Sequence, residues 1–156
     1  MRKTLIPIVV ILLICAGCTN RIEAGSTFDK KKVTEDIKGL TMNVKLPTLV
    51  PFETFKIMSE SSSDNRAESY TLNLFAKPED KEALSITAVE GNLSPPEETE
   101  KVELSEGKVG YFSEQGDIAV MVWEDEDVSY HVQHICEDNR KLFSKNGFVQ
   151  FVNQFN

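Results

Sequence analysis

The chain has few of the side chains that bind transition metals, with two histidines and three cysteines in 156 residues. Three of these five residues lie close together, at His131, His134 and Cys136. On a strand, residues an even number apart share a face, so His134 and Cys136 point together while His131 points away. A tetrahedral zinc site needs four ligands, and no fourth is evident nearby. We therefore predict no metal site, no Cys–His nucleophile and no cofactor.

The sequence also lacks the short motifs that mark common enzyme classes. None of its serines lies in a G-x-S-x-G turn, and its glycines do not have the spacing of a phosphate-binding loop. Four consecutive acids, Glu124, Asp125, Glu126 and Asp127, could offer oxygen ligands to calcium, but their spacing is not that of an EF-hand. We expect no catalytic residue and no enzyme. These four acids are expected at a hairpin turn. Weak calcium binding there and an enzyme without a recognisable motif are the alternatives.

Positive charge is scarce. The chain has 17 lysines and arginines against 25 aspartates and glutamates, which gives a formal net charge of -8. Binding to a phosphate backbone requires a basic face, so we expect no nucleic-acid partner. An acidic surface of this kind is typical of a domain kept soluble by its charge.

Only one long apolar run is present, and it extends from Thr4 to Gly17. It has 14 residues, whereas a helix that spans a bilayer needs about 20. Arg2 and Lys3 precede the run, and polar residues follow directly after Cys18. This arrangement is typical of a signal peptide.

The residues before Cys18 resemble the signal of a bacterial lipoprotein. Ala16 and Gly17 match the small residues that fit the signal peptidase in that family, while Cys15 stands where the pattern usually has leucine. The resemblance implies cleavage between Gly17 and Cys18 and a diacylglyceryl group on the sulfur of Cys18. Two acyl chains hold a protein stably to a bilayer. It thus implies a lipid-anchored protein at the outer face of the cytoplasmic membrane, with an uncleaved anchor helix as the alternative.

The expected organisation is a signal peptide at residues 1–17, a lipidated N-terminus and flexible tether at 18–32, and a single globular domain at 33–156. The tether is assigned because residues 19–32 are polar and without periodicity. Removal of Cys15 and lipidation of Cys18 would leave Cys136 alone. No internal disulfide is then possible, so the stability of the domain must come from its core.

Apolar residues that alternate with polar ones, between clusters of turn residues, predict that most of the domain is an antiparallel meander. Examples are the runs ESYTLNLF at 68–75 and ALSITAVE at 83–90. The stretch from Ile118 to Trp123 is apolar throughout, which predicts a central strand covered on both faces. A shorter strand is expected at 42–46, and Pro47 and Pro51 predict an extended crossing or edge after it. The loop with Pro95 and Pro96 is either a binding lip or a simple connection.

Helical signals occur at both ends of the domain. Near the start, Thr34 could cap one helical turn that ends at Gly39. Near the end, Ser144 is a credible N-cap for an amphipathic helix. That helix is indicated by the i, i+3, i+4, i+7 spacing of Phe148, Phe151, Val152 and Phe155. Four further aromatic residues are assigned to the core rather than to a ligand platform, namely Tyr111, Phe112, Trp123 and Tyr130.

The second half of the chain resembles a known type of domain. The segments V-E-L-x-x-G-K-V-G-Y-F at 102–112 and V-W-E-D-E-D-V-S-Y at 122–130, followed by the amphipathic helix, are similar to an uncharacterised family. That family occurs in lipoproteins and anti-sigma-factor ectodomains of Gram-positive, spore-forming bacteria, and often begins with P-x-x-x-P, here Pro47 to Pro51. The resemblance covers roughly residues 34–156. It implies an α+β fold, a curved antiparallel sheet of about 6–8 strands with the C-terminal helix packed on it, and no assigned activity.

Together these features predict a membrane-anchored extracytoplasmic lipoprotein that serves as a non-enzymatic binding or accessory module of the cell envelope. Its expected partners are the lipid bilayer, through lipidated Cys18, and an envelope protein. Two alternatives remain open at this point: a sensor or regulator of a membrane protein, and an enzyme with no recognisable catalytic motif.

Overall fold

The computed structural model describes residues 25–63, 67–92, 94–138 and 142–155. The signal peptide, the cleavage site at Gly17 and the lipidation site at Cys18 lie outside these residues. Within them, no helix is long and apolar enough to cross a membrane.

The described residues form a seven-stranded antiparallel sheet and two α-helices, which confirms the predicted α+β fold with a curved meander and a C-terminal helix. The strands are β1 (Lys56–Ser63), β2 (Glu68–Phe75), β3 (Glu82–Glu90), β4 (Glu100–Glu103), β5 (Val109–Gln115), β6 (Ile118–Asp125) and β7 (Val128–Cys136). The helices are α1 (Lys30–Ile37) and α2 (Lys145–Val152), and a 3-10 turn at Ser105–Gly107 precedes β5.

The sheet joins two meanders at its centre. Its order is β1-β2-β3-β7-β6-β5-β4, so the first meander of three strands meets the second, of four, where β3 pairs with β7. This pairing places Thr87 opposite His131 and Ile86 opposite Val132. Because β4 lies at the far edge, the connection after β3 passes three strands, β7, β6 and β5, and carries the loop with Pro95 and Pro96.

Alternation along the strands buries one face of the sheet. The helices and the segment at 40–55 contribute to the same core as that face, and we call the opposite side the open face. The largest fully buried side chains on the strands are Tyr70, Leu72, Leu74, Leu84, Ile86, Met121, Trp123, Tyr130 and His134. The predicted meander positions thus follow the period of two, since Tyr70, Leu72 and Leu74 are buried while Thr71 and Asn73 are only half-buried.

The C-terminal helix α2 forms as predicted. The Ser144 hydroxyl accepts a hydrogen bond from the N–H of Gly147 at 3.3 Å and so caps the helix. Phe148, Phe151 and Val152 are buried, and Phe155 packs edge-on against Trp123 just after the helix ends, with 4.9 Å between ring centroids.

The first helix begins earlier than predicted. Asp29, rather than Thr34, is the N-cap, and its carboxylate accepts a hydrogen bond from the N–H of Lys31 at 3.0 Å. Phe28 and Val33, on either side of the cap, are both buried in the core, in the spacing of a hydrophobic staple. Thr34 lies within the helix, where its hydroxyl donates to the carbonyl of Lys30. The predicted tether at 18–32 is therefore wrong for residues 25–32, which belong to the folded domain.

The strand predicted at 42–46 is also wrong. This segment is not part of any described strand. Its backbone bonds to side chains of the sheet instead, because it lies across the buried face. The N–H of Lys45 donates to the Tyr130 hydroxyl at 2.8 Å, and the N–H of Met42 donates to a Glu68 carboxylate oxygen at 2.8 Å. The bonds from Met42 and Thr41 hold the pKa of Glu68 below its usual value, although burial opposes them. Neither Pro47 nor Pro51 lies in a helix, and Val50 between them forms a single antiparallel bridge with Ser26.

The strand predicted from Ile118 to Trp123 forms, as part of β6, but it is not covered on both faces. Ile118 is 40% exposed and Val120 is half-buried, both on the open face. The middle strand of the seven is β7, with β3 and β6 on either side of it, and both β3 and β7 alternate in polarity. The apolar run thus predicted the strand correctly, but its prediction that both faces are covered was wrong. The reason is that the open face also has apolar side chains at this strand.

Substitution of Glu126 by glycine is expected to stabilise the protein by about 0.5–1 kcal/mol. Glu126 and Asp127 form the two-residue turn between β6 and β7, and Glu126 has a φ of 56°, where a side chain is unfavourable. Its ion pair with Lys45 is long, at 3.8 Å, and the Glu126 side chain is 66% exposed, so the pair contributes little. Urea unfolding of Glu126→Gly would measure the gain. The control is Glu124→Gly, which places glycine in the extended backbone of β6 and should destabilise; the same sign for both variants would contradict the turn geometry.

Candidate binding face on the open side of the sheet

His134 and Cys136 lie in the core, on the side of β7 that faces the helices. His134 is fully buried, its Nδ1 accepts a hydrogen bond from the N–H of Phe143 at 3.1 Å, and its Nε2 lies 2.8 Å from a Glu82 carboxylate oxygen. An imidazole that accepts at Nδ1 must carry its proton at Nε2, which fixes the tautomer and lets it donate to Glu82. Buried in this way, His134 joins β7, β3 and the residues before α2, and it is not accessible to a substrate.

His131 lies on the opposite side of β7, as predicted. It is paired with Thr87 of β3 and Val122 of β6 in the sheet register. Partial burial lowers the pKa of its imidazole. The structure therefore separates His131 from His134 and Cys136, and in the described ranges no three His, Cys, Asp or Glu residues are grouped to hold a metal ion.

The acidic side chains at the β6–β7 turn point in different directions and do not form one group of ligands. Asp125 is buried on the core side, with its two carboxylate oxygens each 2.9 Å from a lysine ammonium, those of Lys45 and Lys108. Glu124 is exposed in β6 on the opposite side, and Glu126 occupies the turn. The Asp125 carboxylate therefore binds two lysines, and the three carboxylates of Glu124, Asp125 and Glu126 do not converge on one point.

The four aromatic residues assigned to the core are also divided. Phe112, Trp123 and Tyr130 are buried, and the rings of Trp123 and Tyr130 stack with 4.8 Å between their centroids. Tyr111 instead lies on the open face, since it is paired with Lys101 and Val122. The core assignment is thus correct for three of the four.

The described helices leave the open face uncovered, although the loop after β3 lies over part of β5 and β6, and the middle of the face is polar. Two rows run across β2, β3 and β7, in which neighbours are paired in register: Thr71, Thr87 and His131 in one, Asn73, Ser85 and Gln133 in the other. All six side chains are half-buried, and the hydroxyls of Thr71 and Thr87 lie 3.4 Å apart.

A cavity of about 260 Å³ opens on this face under the loop that follows β3. It is lined by Pro95, Val109, Tyr111, Val122, Trp123 and Glu124. Pro95, in the loop after β3, therefore lies over β5 and β6 at the edge of this cavity.

A second cavity of about 340 Å³, which we call the corner groove, lies at the β1 end of the open face. Its floor is apolar, with Phe75, Ala83 and Ile135 adjacent across β2, β3 and β7. Phe55 and Pro78 stand at its sides, and three lysines also line it, Lys56, Lys77 and Lys81.

The exposed large apolar side chains of the described residues border the corner groove or lie near it on the open face. They are Phe55, Met58, Ile118 and Ile135, with exposed fractions of 65%, 48%, 40% and 37%. Met58 pairs with Asn73 on the open face, and Ile118 pairs with Ile135. An exposed apolar patch rimmed by polar groups is typical of a binding surface.

Sequence reasoning did not find this patch. The signal was partly present, because Ile135 alternates with buried side chains along β7 and Met58 alternates with half-buried ones along β1. Their neighbours in the fold are distant in sequence, however, and only the order β1-β2-β3-β7-β6 brings them together.

Comparison of the chain with protein-family models, with curated proteins and with solved structures found no match. The resemblances to a lipoprotein signal and to an uncharacterised envelope domain family therefore stay predictions from the sequence. What is established is the class of fold, an open antiparallel meander sheet with both described helices on the same face.

Proposed function

We propose that this protein is a lipid-anchored, extracytoplasmic binding module without catalytic activity. It holds an envelope ligand or protein near the outer face of the cytoplasmic membrane through the open face of its sheet. The observation that carries the proposal is the location of the exposed large apolar side chains on that face. The pattern around Cys18 supports the anchor. The burial of His134 and Cys136 supports a binding role over a thiol- or imidazole-based reaction.

The anchor and the binding face cooperate in this proposal. A lipid at Cys18 confines the domain to a thin layer above the membrane, which raises its effective concentration towards anything embedded there. Residues 19–24 would separate the lipid from the folded domain, which begins with the contact between Ser26 and Val50. The domain would thus lie close to the membrane surface.

Intact-mass analysis of protein extracted from membranes tests the anchor. The expected species begins at Cys18 and carries a diacylglyceryl group, and Cys18→Ala should release the protein from the membrane fraction. A species that begins at Met1 with an unmodified Cys18 would reject the anchor.

Site-specific photocrosslinking in intact cells tests the binding face. A photoreactive residue placed at Met58 on the open face should give a discrete adduct, and the same residue at Gln150, exposed on α2, should not. The Met58 adduct should fall roughly tenfold or more in the Cys18→Ala form, because the anchor supplies the effective concentration. Equal adducts from both positions would show that the open face has no special role.

A further inference from the structure

The charges that line the corner groove differ in sign from those of the whole protein. Three lysines line it, Lys56, Lys77 and Lys81, in a chain whose net charge is -8. The one acid among the lining residues is Glu82, whose side chain is 7% exposed and whose carboxylate is bound to His134 in the core. Lysines thus outnumber acids in the groove lining by three to one, and the single acid is bound to a core side chain.

The lysines are available to a ligand. Within the described part of the chain, Lys56 has no ion pair, and its ammonium lies 5.9 Å from the centre of the Phe75 ring. Lys77 and Lys81 pair with Glu53 and Glu137, but both pairs are exposed, with more than half of each acid's side chain accessible. Exposed pairs of this kind contribute little and can be exchanged for a better partner.

The floor of the groove requires an apolar occupant. Phe75, Ala83 and Ile135 are adjacent in register, and Phe55, at the side, is 65% exposed. The cavity of about 340 Å³ lies at the lower end of the range that holds small molecules. Covering this surface with apolar groups would remove it from water, which is the main favourable term in binding of this type.

We infer that the corner groove binds a single amphiphilic molecule that has an anionic head and an apolar chain. The chain lies on Phe75, Ala83 and Ile135, and a carboxylate or phosphate head contacts the ammonium groups of Lys56 and Lys77. This inference deepens the proposed function, and it rests on that function for the place where the protein encounters the ligand. The surface of an anionic bilayer is a poorer occupant, because the exposed acids Glu53 and Glu137 at the rim would face it.

The test is a calorimetric titration of the mature chain from residue 18, carrying Cys18→Ala, with dodecanoate below its micelle-forming concentration. Cooperative unfolding of this chain is verified first. We expect saturable binding of dodecanoate and none of the cationic dodecyltrimethylammonium. Ile135→Gln in the groove should weaken dodecanoate binding roughly tenfold or more, because it removes apolar contact. The matched control is Ile118→Gln, its paired and equally exposed neighbour outside the groove lining, which should change binding less than about twofold.

The charge is tested by Lys56→Glu, with Lys101→Glu as control. Lys101 is exposed on β4, far from the groove on the same sheet. Lys56→Glu should lower the affinity for dodecanoate roughly tenfold or more, and Lys101→Glu should leave it nearly unchanged. Equal binding of anionic and cationic amphiphiles, or equal effects of the two substitutions, would overturn the inference.

Three other results would overturn it. One is the absence of saturable binding by the folded chain. The second is attachment to vesicles of phosphatidylglycerol and phosphatidylcholine that Ile135→Gln abolishes, without binding of monomeric dodecanoate, which would make the groove a bilayer contact. The third is a dimer in sedimentation that Ile135→Gln converts to a monomer, which would make the occupant a second copy. Because these titrations use no anchor, their failure leaves the intact-mass and crosslinking tests of the proposed function unaffected.

Discussion

Phe151→Ala is expected to lower the free energy of unfolding by about 3–5 kcal/mol, the largest effect predicted for a single substitution in this protein. Phe151 is fully buried on α2 and is surrounded by other rings. Its ring centroid lies 5.4 Å from that of Phe143 and 5.5 Å from that of Phe155, the latter in an edge-on arrangement. Removal of the ring takes away this contact and leaves a cavity that the rigid sheet cannot close. Urea unfolding followed by circular dichroism would measure the loss.

The loss expected for Phe151→Ala is large compared with the total stability of a small domain. Small domains unfold with a total of about 5–15 kcal/mol, so Phe151→Ala should leave a measurable unfolded population. Gln150→Ala, at the exposed neighbouring position of the same helix, is the control and should change stability by less than about 0.5 kcal/mol. A loss below about 1.5 kcal/mol for Phe151→Ala would mean that α2 is not packed on the sheet as described.

Asp125→Asn is expected to lower the free energy of unfolding by about 2 kcal/mol at neutral pH. Asp125 is only 7% exposed, and its carboxylate connects Lys45, in the segment that crosses the sheet, with Lys108, just before β5. The asparagine keeps the shape but loses the charge, so each lysine loses an ionic hydrogen bond. The two lysines are 21% and 29% exposed and can regain some water, which keeps the loss below that of a fully buried pair.

The effect of Asp125→Asn should depend on pH. Burial acts to raise the pKa of Asp125, but hydrogen bonds and charge from Lys45 and Lys108 outweigh it and hold the pKa below its ordinary value of 3.8. A carboxyl with a lowered folded-state pKa contributes its full stability above the unfolded pKa, and that contribution is lost as the pH falls through the folded pKa. The curves of stability against pH for the native protein and Asp125→Asn should therefore be parallel above about pH 5 and converge below pH 3.8.

Urea unfolding at a series of pH values from neutral to acidic would measure this convergence. Asp127→Asn, which removes an exposed carboxylate from the same turn, is the control and should change stability by less than about 0.5 kcal/mol. If Asp125→Asn stayed equally destabilised at the lowest pH, the effect would come from packing and not from the two lysines.

Local signals in the sequence were sufficient for most of the secondary structure. The alternation at residues 70–74, the acidic turn after β6 and the aromatic spacing after Ser144 each act within a few residues. Period and capping are local properties, because they depend on side chains that are neighbours along the strand or helix. The pattern that ends at Cys18 is also made of consecutive residues, and the anchor that it indicates stays a prediction.

Local patterns were insufficient where a segment's role depends on distant partners. The strand predicted at 42–46 lies across the sheet instead, because Tyr130 and Glu68 supply its hydrogen bonds. The helix predicted to be capped at Thr34 begins at Lys30 with Asp29 as its N-cap, since burial of Phe28 and Val33 in the core favours the longer helix. In each case tertiary contacts outweighed a weaker local preference.

The sequence by itself determined that this protein is an antiparallel meander with a capped C-terminal helix, because period and capping are encoded in adjacent residues. Only the tertiary structure decided which strands meet, and with them the corner groove. Phe55, Phe75 and Ile135 are separated by most of the domain in sequence and become neighbours because β3 pairs with β7. Such pairing depends on the entropy of closing long loops and on burial of the whole face, which no short stretch of the chain contains.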